Sequence, residues 1–458
     1  MKKIGMVSLG CPKNLVDTES LLGDLSVNGY ELTSDQAEAE VLIINTCGFL
    51  QSSVKESVET ILEMADYKEQ GACRKLIVTG CLAERHPEEL LREIPEIDHL
   101  LGTKQYPLLK SLLNNRDSRR NLVHEPAQYL ENYGQRVQTT PRHMAYVKIA
   151  EGCSNQCAFC IIPQLRGPIK SRTPDSILQE VRALAENGVR EINLVSQDTT
   201  LYGYDIRLKD GLIDLLRQID RVEGVSWIRL FYCYPTMVTE RLMDAVAEID
   251  KVVPYMDIPL QHTHDFMLAH MKRQEREAGV RKMLDELRRR IPGVALRTTF
   301  ITGFPGETEA HFRHMHDFLK EYQFDHLGVF VYSDEEGTTA FNYPGRVPKE
   351  VAEERRSILM ETQRDLVRTN NTGRIGSVFP VLVEGLDEDC LLTGRLPTQG
   401  PEIDGQVILE ECSAEAGSIV PVRLTGVLDY DFVGVPVESG ESGALAGGAE
   451  METEDHGH

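Results

Sequence analysis

Residues 151–163 read EGCSNQCAFCIIP and set Cys153, Cys157 and Cys160 on one short loop in a C-x3-C-x2-C pattern. Thiols packed this closely cannot all be core cysteines. The spacing lets a single loop wrap three corners of a metal cluster. A zinc knuckle requires a fourth Cys or His at ligand spacing, and the flanking sequence offers none. Three ligands on a four-iron cube leave one iron open to an exogenous ligand.

The loop follows an apolar run, Met144–Ala150, that reads as a strand. Comparable runs recur at Glu191–Ser196, Trp227–Tyr232, Val252–Ile258, Ala295–Ile301 and Leu327–Tyr332. Helical periodicity lies between several of them, as at Pro174–Glu186 and Val280–Arg290. Six such units exceed the need of an ordinary open sheet and fall short of the eight of a closed barrel. The spacing therefore predicts a partial (βα)6 barrel. A charged helix, Lys349–Arg368, leads out of it, and the core is expected to span 143–368.

Upstream, residues 1–114 alternate strand and helix: Lys3–Leu9, then a helix at Asn14–Val27, a buried strand at Val41–Asn45, a helix at Ser52–Tyr67 and a strand at Lys75–Thr79. Continuous apolar strands between amphipathic helices predict a small doubly wound parallel sheet covered on both faces. Residues 115–142 are polar with little periodicity and read as a linker. Residues 371–437 switch to short β-runs broken by Gly, Pro and Asp, the pattern of a small antiparallel barrel. Residues 438–458 are rich in Gly, Ala and acids and are expected to be a disordered tail.

A second cysteine set is visible only through this layout. Cys11, Cys47 and Cys81 are far apart in sequence, yet each lies just past a predicted strand: VSLGC, LIINTC, LIVTGC. Parallel strands end on one edge, where open α/β sheets place their sites. The three thiols are therefore expected to converge. Three unrelated buried thiols would not repeat one structural position; Cys73 lacks that placement and reads as structural.

The C-x3-C-x2-C loop on a (βα)6 barrel resembles the radical S-adenosylmethionine (SAM) superfamily. The resemblance implies that the open iron of the Cys153, Cys157 and Cys160 cluster binds SAM through its amino and carboxylate groups. An electron from that cluster then yields a 5′-deoxyadenosyl radical. With a second three-cysteine set and a β-barrel like a TRAM domain, nearly the whole chain resembles the methylthiotransferase family. This implies two [4Fe–4S] clusters, the one on Cys11, Cys47 and Cys81 handling sulfur, and SAM used both as methyl donor and as radical source. An electron donor and a sulfur source are implied partners.

That family has tRNA-modifying branches and one acting on an aspartate of small-subunit ribosomal protein twelve. The stretches LGCPKNLVDTES (9–20), NTCGFL (45–50), SQDTTLYGYD (196–205) and YMDIPLQH (255–262) resemble the ribosomal-protein branch. The expected product is a methylthio group at the aspartate β-carbon; the alternative is a tRNA adenosine. Charge discriminates independently. Between 371 and 437 stand three basic residues, Arg374, Arg395 and Arg423, against eleven acids. Phosphates are repelled by such a surface and a Lys/Arg-rich protein is attracted, so direct nucleic-acid binding is not expected.

Whole-chain composition sets the outer bounds. The 458 residues suggest two to four domains. At 41% hydrophobic the chain can form real cores, and a net charge of −23 argues against a general nucleic-acid coat. No apolar run approaches a membrane span. Ile4–Leu9, ahead of Cys11, is too short for a secretory core, so a cytoplasmic protein is expected.

Fainter signals remain. Gly303–Thr308 (GFPGET) follows the fifth barrel strand and fits either a close approach to SAM or a tight strand-to-helix turn. Gln197 and Asp198 end the second strand on the expected active face. Arg166 and Arg172 follow the cluster loop and are candidates to meet a carboxylate of SAM or substrate. His311, His314 and His316 superficially resemble a metal patch but read as a helix face. Cys233, Cys390 and Cys412 read as ordinary buried or half-buried residues. A two-cluster electron carrier or RNA-binding scaffold is the non-catalytic rival; it would not cleave SAM.

Overall fold

The computed structural model describes residues 2–114, 116–126 and 135–438. Residues 439–458 of the tail expected at 438–458 and part of the 115–142 linker lie outside the described residues. The described residues pack as two compact units, within the following bounds. One comprises residues 1–187, 192–223 and 333–343, the other 188–191, 224–332 and 344–458.

The first unit opens with a five-stranded parallel sheet: β1 (Lys3–Ser8), β2 (Glu31–Thr33), β3 (Val41–Thr46), β4 (Lys75–Gly80) and β5 (His99–Leu100), in the order β2-β1-β3-β4-β5. β3 is buried along its whole length, and its alternate residues serve two cores. Val41 and Ile43 pack with Leu21, Leu25, Leu109 and Leu112. Leu42 and Ile44 pack with Ile61, Met64 and Leu90 on the other face. Helices thus cover both faces, which is why the strand carries no polar alternation.

Further along the chain come β6 (Met144–Lys148), β9 (Glu191–Val195), β10 (Trp227–Leu230), β11 (Val252–Asp257), β12 (Ala295–Thr302) and β13 (His326–Val331), the last four adjacent in sequence order within the second unit. The expected first strand, Met144–Ala150, ends at Lys148. Ala150–Glu151 (β7) instead pairs antiparallel with Lys170–Ser171 (β8) across the cluster loop.

In the second unit β10 to β13 run parallel. The same unit holds a closed barrel of β14 (Val378–Leu386), β15 (Leu392–Arg395), β16 (Val407–Leu409), β17 (Ile419–Leu428) and β18 (Asp431–Pro436), ordered β14-β15-β16-β18-β17. Its pairs are antiparallel except β16–β18. Five strands cannot alternate direction all the way round a ring, so one parallel pair is unavoidable. Val381, Val383, Leu396, Val407, Val422, Leu424 and Phe432 fill it. A buried ion network ties barrel to sheet within this unit. Glu191 Oε2 accepts from Arg395 Nη2 at 2.5 Å and its Oε1 from Arg229 Nε at 3.0 Å. Tyr255 Oη donates to Asp404 Oδ2 at 2.7 Å.

Candidate metal centres

Cys11, Cys47 and Cys81 each sit where a strand hands over to a helix. Cys11 is the N-cap of the Pro12–Val27 helix, which begins with proline because an N1 residue needs no N–H partner. Cys47 directly follows β3, and its N–H donates to Ser57 Oγ at 3.1 Å. Cys81 opens a short helix, Cys81–Arg85, straight after Gly80. β1, β3 and β4 are parallel neighbours, so the three residues share one sheet edge. The approach is close: a Cβ on Gly10, whose φ is +90°, would stand 2.9 Å from Cys47 Sγ. Only glycine allows that turn and that proximity. Cys47 feels the charge of Cys11, and Cys81 that of both Cys11 and Cys47.

The thiols are tuned unequally. Burial pushes Cys81 up to about 11, against the opposing pull of Arg166. Burial also raises Cys47. At Cys11 burial acts the same way but is outweighed by Lys13, Arg166 and the backbone N–H groups of Asn14 and Lys13, leaving it below the usual thiol value.

The second set is held by backbone and by the returning segment 333–343. Cys153 N–H donates to Gly167 O at 3.0 Å and Cys160 N–H to Cys157 O at 3.1 Å. Asn155 Nδ2 donates to Asp198 Oδ2 at 2.7 Å, fixing the loop between the first two cysteines. Ala340 N–H donates to Ala158 O at 2.8 Å, and Gln164 Nε2 to Gly337 O at 2.5 Å. Burial, with Asp198 and Cys157 adding to it, pushes Cys153 up to about 11. Glu335 anchors the segment: its Oε2 accepts from Arg85 Nη1 at 2.7 Å and its Oε1 from the Gln51 N–H at 3.0 Å.

The two sets meet in one compact unit. Cys81 packs with Ile161 and Leu165, which follow Cys160, and with Phe49. Between them lies a buried charge cluster. The Arg166 side chain is 1% exposed. Its Nη1 donates to Glu151 Oε1 at 2.9 Å and Asp17 Oδ2 at 3.2 Å. Its Nη2 donates to Asn14 Oδ1 and, at 3.4 Å, to Cys81 Sγ. Lys148 Nζ bridges Asp17 and Glu151, and Gln197 Nε2 donates to Glu151 Oε1 at 3.0 Å. Burial opposes charge on Glu151, yet Arg166 and Lys148 hold its carboxyl well below the usual range. Buried charges persist only when paired this fully.

Arg166 and Arg172 do meet carboxylates, but the chain's own: Arg172 Nη1 donates to Glu180 Oε2 at 2.6 Å. Asp198 is buried, and burial raises its carboxyl. The GFPGET stretch forms a tight turn, with Gly303 at φ +77° and its N–H donating to Glu307 Oε1 at 3.1 Å; Glu307 also takes Arg355 at 2.6 Å. The three helix histidines have separate partners. His311 closes a capping box with Thr308, His314 bonds Thr263 and Glu277, and His316 bonds Thr362. Cys73 and Cys233 are buried and Cys412 is half-buried. Cys390 corrects expectation: it is exposed, because it lies at φ +60° in the turn between β14 and β15.

Asn14, Asp17, Lys148, Glu151, Arg85 and Glu335 escaped the sequence reading. A signal existed for two of them. Lys148 interrupts the apolar run MAYVKIA, and Asp17 lies one helical turn from Asn14 on the helix that Cys11 caps.

Both cysteine sets fit iron–sulfur clusters. All six donors are soft sulfurs, and the bare Gly10 turn brings Cys47 close to the residue that precedes Cys11. Among the described residues no three His, Cys, Asp or Glu side chains converge tightly enough to share one ion. A cluster places each thiolate on a different iron, so its ligands stand further apart.

Known families divide the chain in the same way. Residues 3–102 match an uncharacterized protein family, UPF0004; residues 147–319 match the radical SAM superfamily; residues 375–437 match the TRAM domain. The class is therefore a radical SAM enzyme, one that uses SAM and [4Fe–4S] chemistry. Among solved structures, the radical SAM methyltransferase TsrM from Kitasatospora setae aligns with a TM-score of 0.55 at 15% identity, over 72% of this chain and 73% of that one. The cobalamin-dependent radical enzyme OxsB aligns at 0.52 and 11%, over 79% and 56%. At these identities the likeness is one of fold.

Sequence relatives are nearer. The ribosomal protein uS12 methylthiotransferase RimO of Anaeromyxobacter sp. (strain K) is 47% identical over 434 residues, 94% of this chain and 92% of that protein. The RimO of Geobacter sulfurreducens is 45% identical over 438 residues, 94% and 98%. The chain belongs to the RimO family of uS12 methylthiotransferases.

Proposed function

We propose that this enzyme attaches a methylthio group to the β-carbon of an aspartate in ribosomal protein uS12. Cys153, Cys157 and Cys160 hold the [4Fe–4S] cluster whose open iron takes SAM; Cys11, Cys47 and Cys81 hold the auxiliary one. The observation that carries this reading is the near-full-length identity to two uS12 methylthiotransferases. When bound, the SAM-site cluster supplies the electron that cleaves SAM and the auxiliary cluster handles sulfur.

The chain's own residues prepare that chemistry. Asn155 and Asp198 fix the loop that presents Cys153 and Cys157. Residues 333–343 hold the loop from Ala158 to Gln164 in place through the Ala340–Ala158 and Gln164–Gly337 bonds. Arg166 and Lys148 neutralise Asp17 and Glu151, so both of these buried carboxylates are paired.

The barrel supports a basic protein as substrate. Arg395 is buried against Glu191 and Glu384, and Arg374 pairs with Asp325, so these arginines are internally committed. Glu388, Asp389, Glu410, Glu411 and Glu415 are exposed. Steering by such a surface favours a Lys/Arg-rich partner. Among the described residues no helix is long and apolar enough to cross a membrane. A reductant and a sulfur donor complete the reaction. Anaerobic incubation with SAM and dithionite tests the enzymatic reading: 5′-deoxyadenosine should accumulate, and its absence would leave an electron carrier.

A further inference from the structure

We infer that Arg166 is a positioning residue for the auxiliary cluster: its guanidinium, bonded to the sulfur of Cys81, raises that cluster's reduction potential and leaves the SAM-site cluster's unchanged. The inference rests on the assignment of Cys11, Cys47 and Cys81 as ligands.

Its ground is geometric. Arg166 lies six residues beyond Cys160, yet its side chain turns towards the other cysteine set. Its Nη2 stands 3.4 Å from Cys81 Sγ and also donates to Asn14 Oδ1. The guanidinium cannot swing away. Its Nη1 is held by Glu151 at 2.9 Å and Asp17 at 3.2 Å, and Lys148 locks those two carboxylates to each other. Leu165, the preceding residue, packs on Cys81 together with Ile161. The planar fork serves a purpose that lysine could not: one arm satisfies carboxylates while the other reaches sulfur. Two carboxylates balance the two cations, so the network is neutral overall, and what Cys81 receives is a directed N–H donor.

Hydrogen bonds to cluster sulfurs are one of the main determinants of potential, because they stabilise the more negative, reduced form. Arg166 directs its second arm to the Cys81 set, whereas at the other set the Cys153 backbone N–H points to Gly167 O. The donor favours the more negative, reduced cluster, and the effect the test reads is about a tenfold change in the oxidised-to-reduced ratio.

The test is R166K in the full chain. Lysine keeps the charge that Asp17 and Glu151 require and loses the second arm. The auxiliary cluster is isolated in a C153A/C157A/C160A background and the SAM-site cluster in C11A/C47A/C81A; each is titrated by EPR with and without R166K. The expected result is an auxiliary potential lowered by about 59 mV, the equivalent of a tenfold ratio for one electron, with the SAM-site potential unmoved. R166Q, which removes the charge, should lower it at least as far. Selective loss of the auxiliary cluster, with the SAM-site cluster loaded normally, supports the same role through Cys81. An unchanged auxiliary potential in both variants, or equal shifts at both sites, overturns it. If the C153A/C157A/C160A chain binds no cluster even with Arg166 in place, the ligand assignment itself fails, and the inference with it.

Discussion

Replacing Glu191 by Gln removes one charge from the centre of a buried trio and leaves the volume almost unchanged. Glu191 is fully buried; Arg229 and Arg395 beside it are 0% and 2% exposed. Two routes give the cost. Burial disfavours the Glu191 carboxylate, but Arg395 and Arg229 overcome this and hold it at about 2. Against an ordinary Glu pKa that is worth about 3 kcal/mol by linkage. Breaking a buried pair costs ~3–5 kcal/mol, and Glu384 still neutralises Arg395 in part, which favours the lower end. The single tryptophan, Trp227, lies on β10 with Arg229, so its fluorescence reports unfolding of this unit. At pH 7 the variant should lose about 3 kcal/mol in urea melts followed at Trp227. Because the folded pKa is depressed, this stabilisation is complete above pH ~4.5 and vanishes as pH falls towards 2. The gap between wild type and variant should therefore shrink through that window; cluster loss in acid affects both alike. Equal midpoints at pH 7, or a gap that persists undiminished at pH 2.5, would refute the reasoning.

Three further outcomes are expected. Cys157→Ala should abolish 5′-deoxyadenosine formation, whereas Cys47→Ala should leave reductive SAM cleavage largely intact and stop methylthiolation; equal loss of cleavage in both would dissolve the division of labour. Asp198→Ala removes the anchor of Asn155, a charge-assisted bond worth ~1.5–3 kcal/mol, and should lower iron retained at the SAM site about tenfold on dilution, read by iron assay in the C11A/C47A/C81A background. Reversing the exposed acids with E388K, D389K and E410K should slow association with uS12 about tenfold at low salt and flatten its salt dependence, as measured by stopped flow; an unaltered rate would remove the barrel from substrate capture.

Much of this was legible in the sequence because strands buried on both faces announce themselves. The run VLIIN at 41–45 divides between two cores, and that alone implies helices above and below. Cys11, Cys47 and Cys81 were legible as a set for the same reason: parallel strands end together. What periodicity could not reveal was the polar interior. Asn14, Asp17 and Glu19 lie on a helix whose heptad pattern shows only leucines and valine, yet all three are buried, satisfied by residues more than a hundred positions away. Glu335 likewise pairs with Arg85 across 250 positions. Partners that distant leave no local pattern. The barrel's parallel β16–β18 pair follows from ring closure rather than from any strand's composition. Cys390 was misread because turn residues are placed by backbone conformation, not by their own hydrophobicity.

Reconstitute the enzyme anaerobically with iron and sulfide, add SAM and reductant, and present uS12 and bulk tRNA in separate reactions, each followed by mass spectrometry. A gain of one methylthio group on an aspartate of uS12, and none on tRNA, is the expected result. A methylthio-adenosine in tRNA with unmodified uS12 would contradict it.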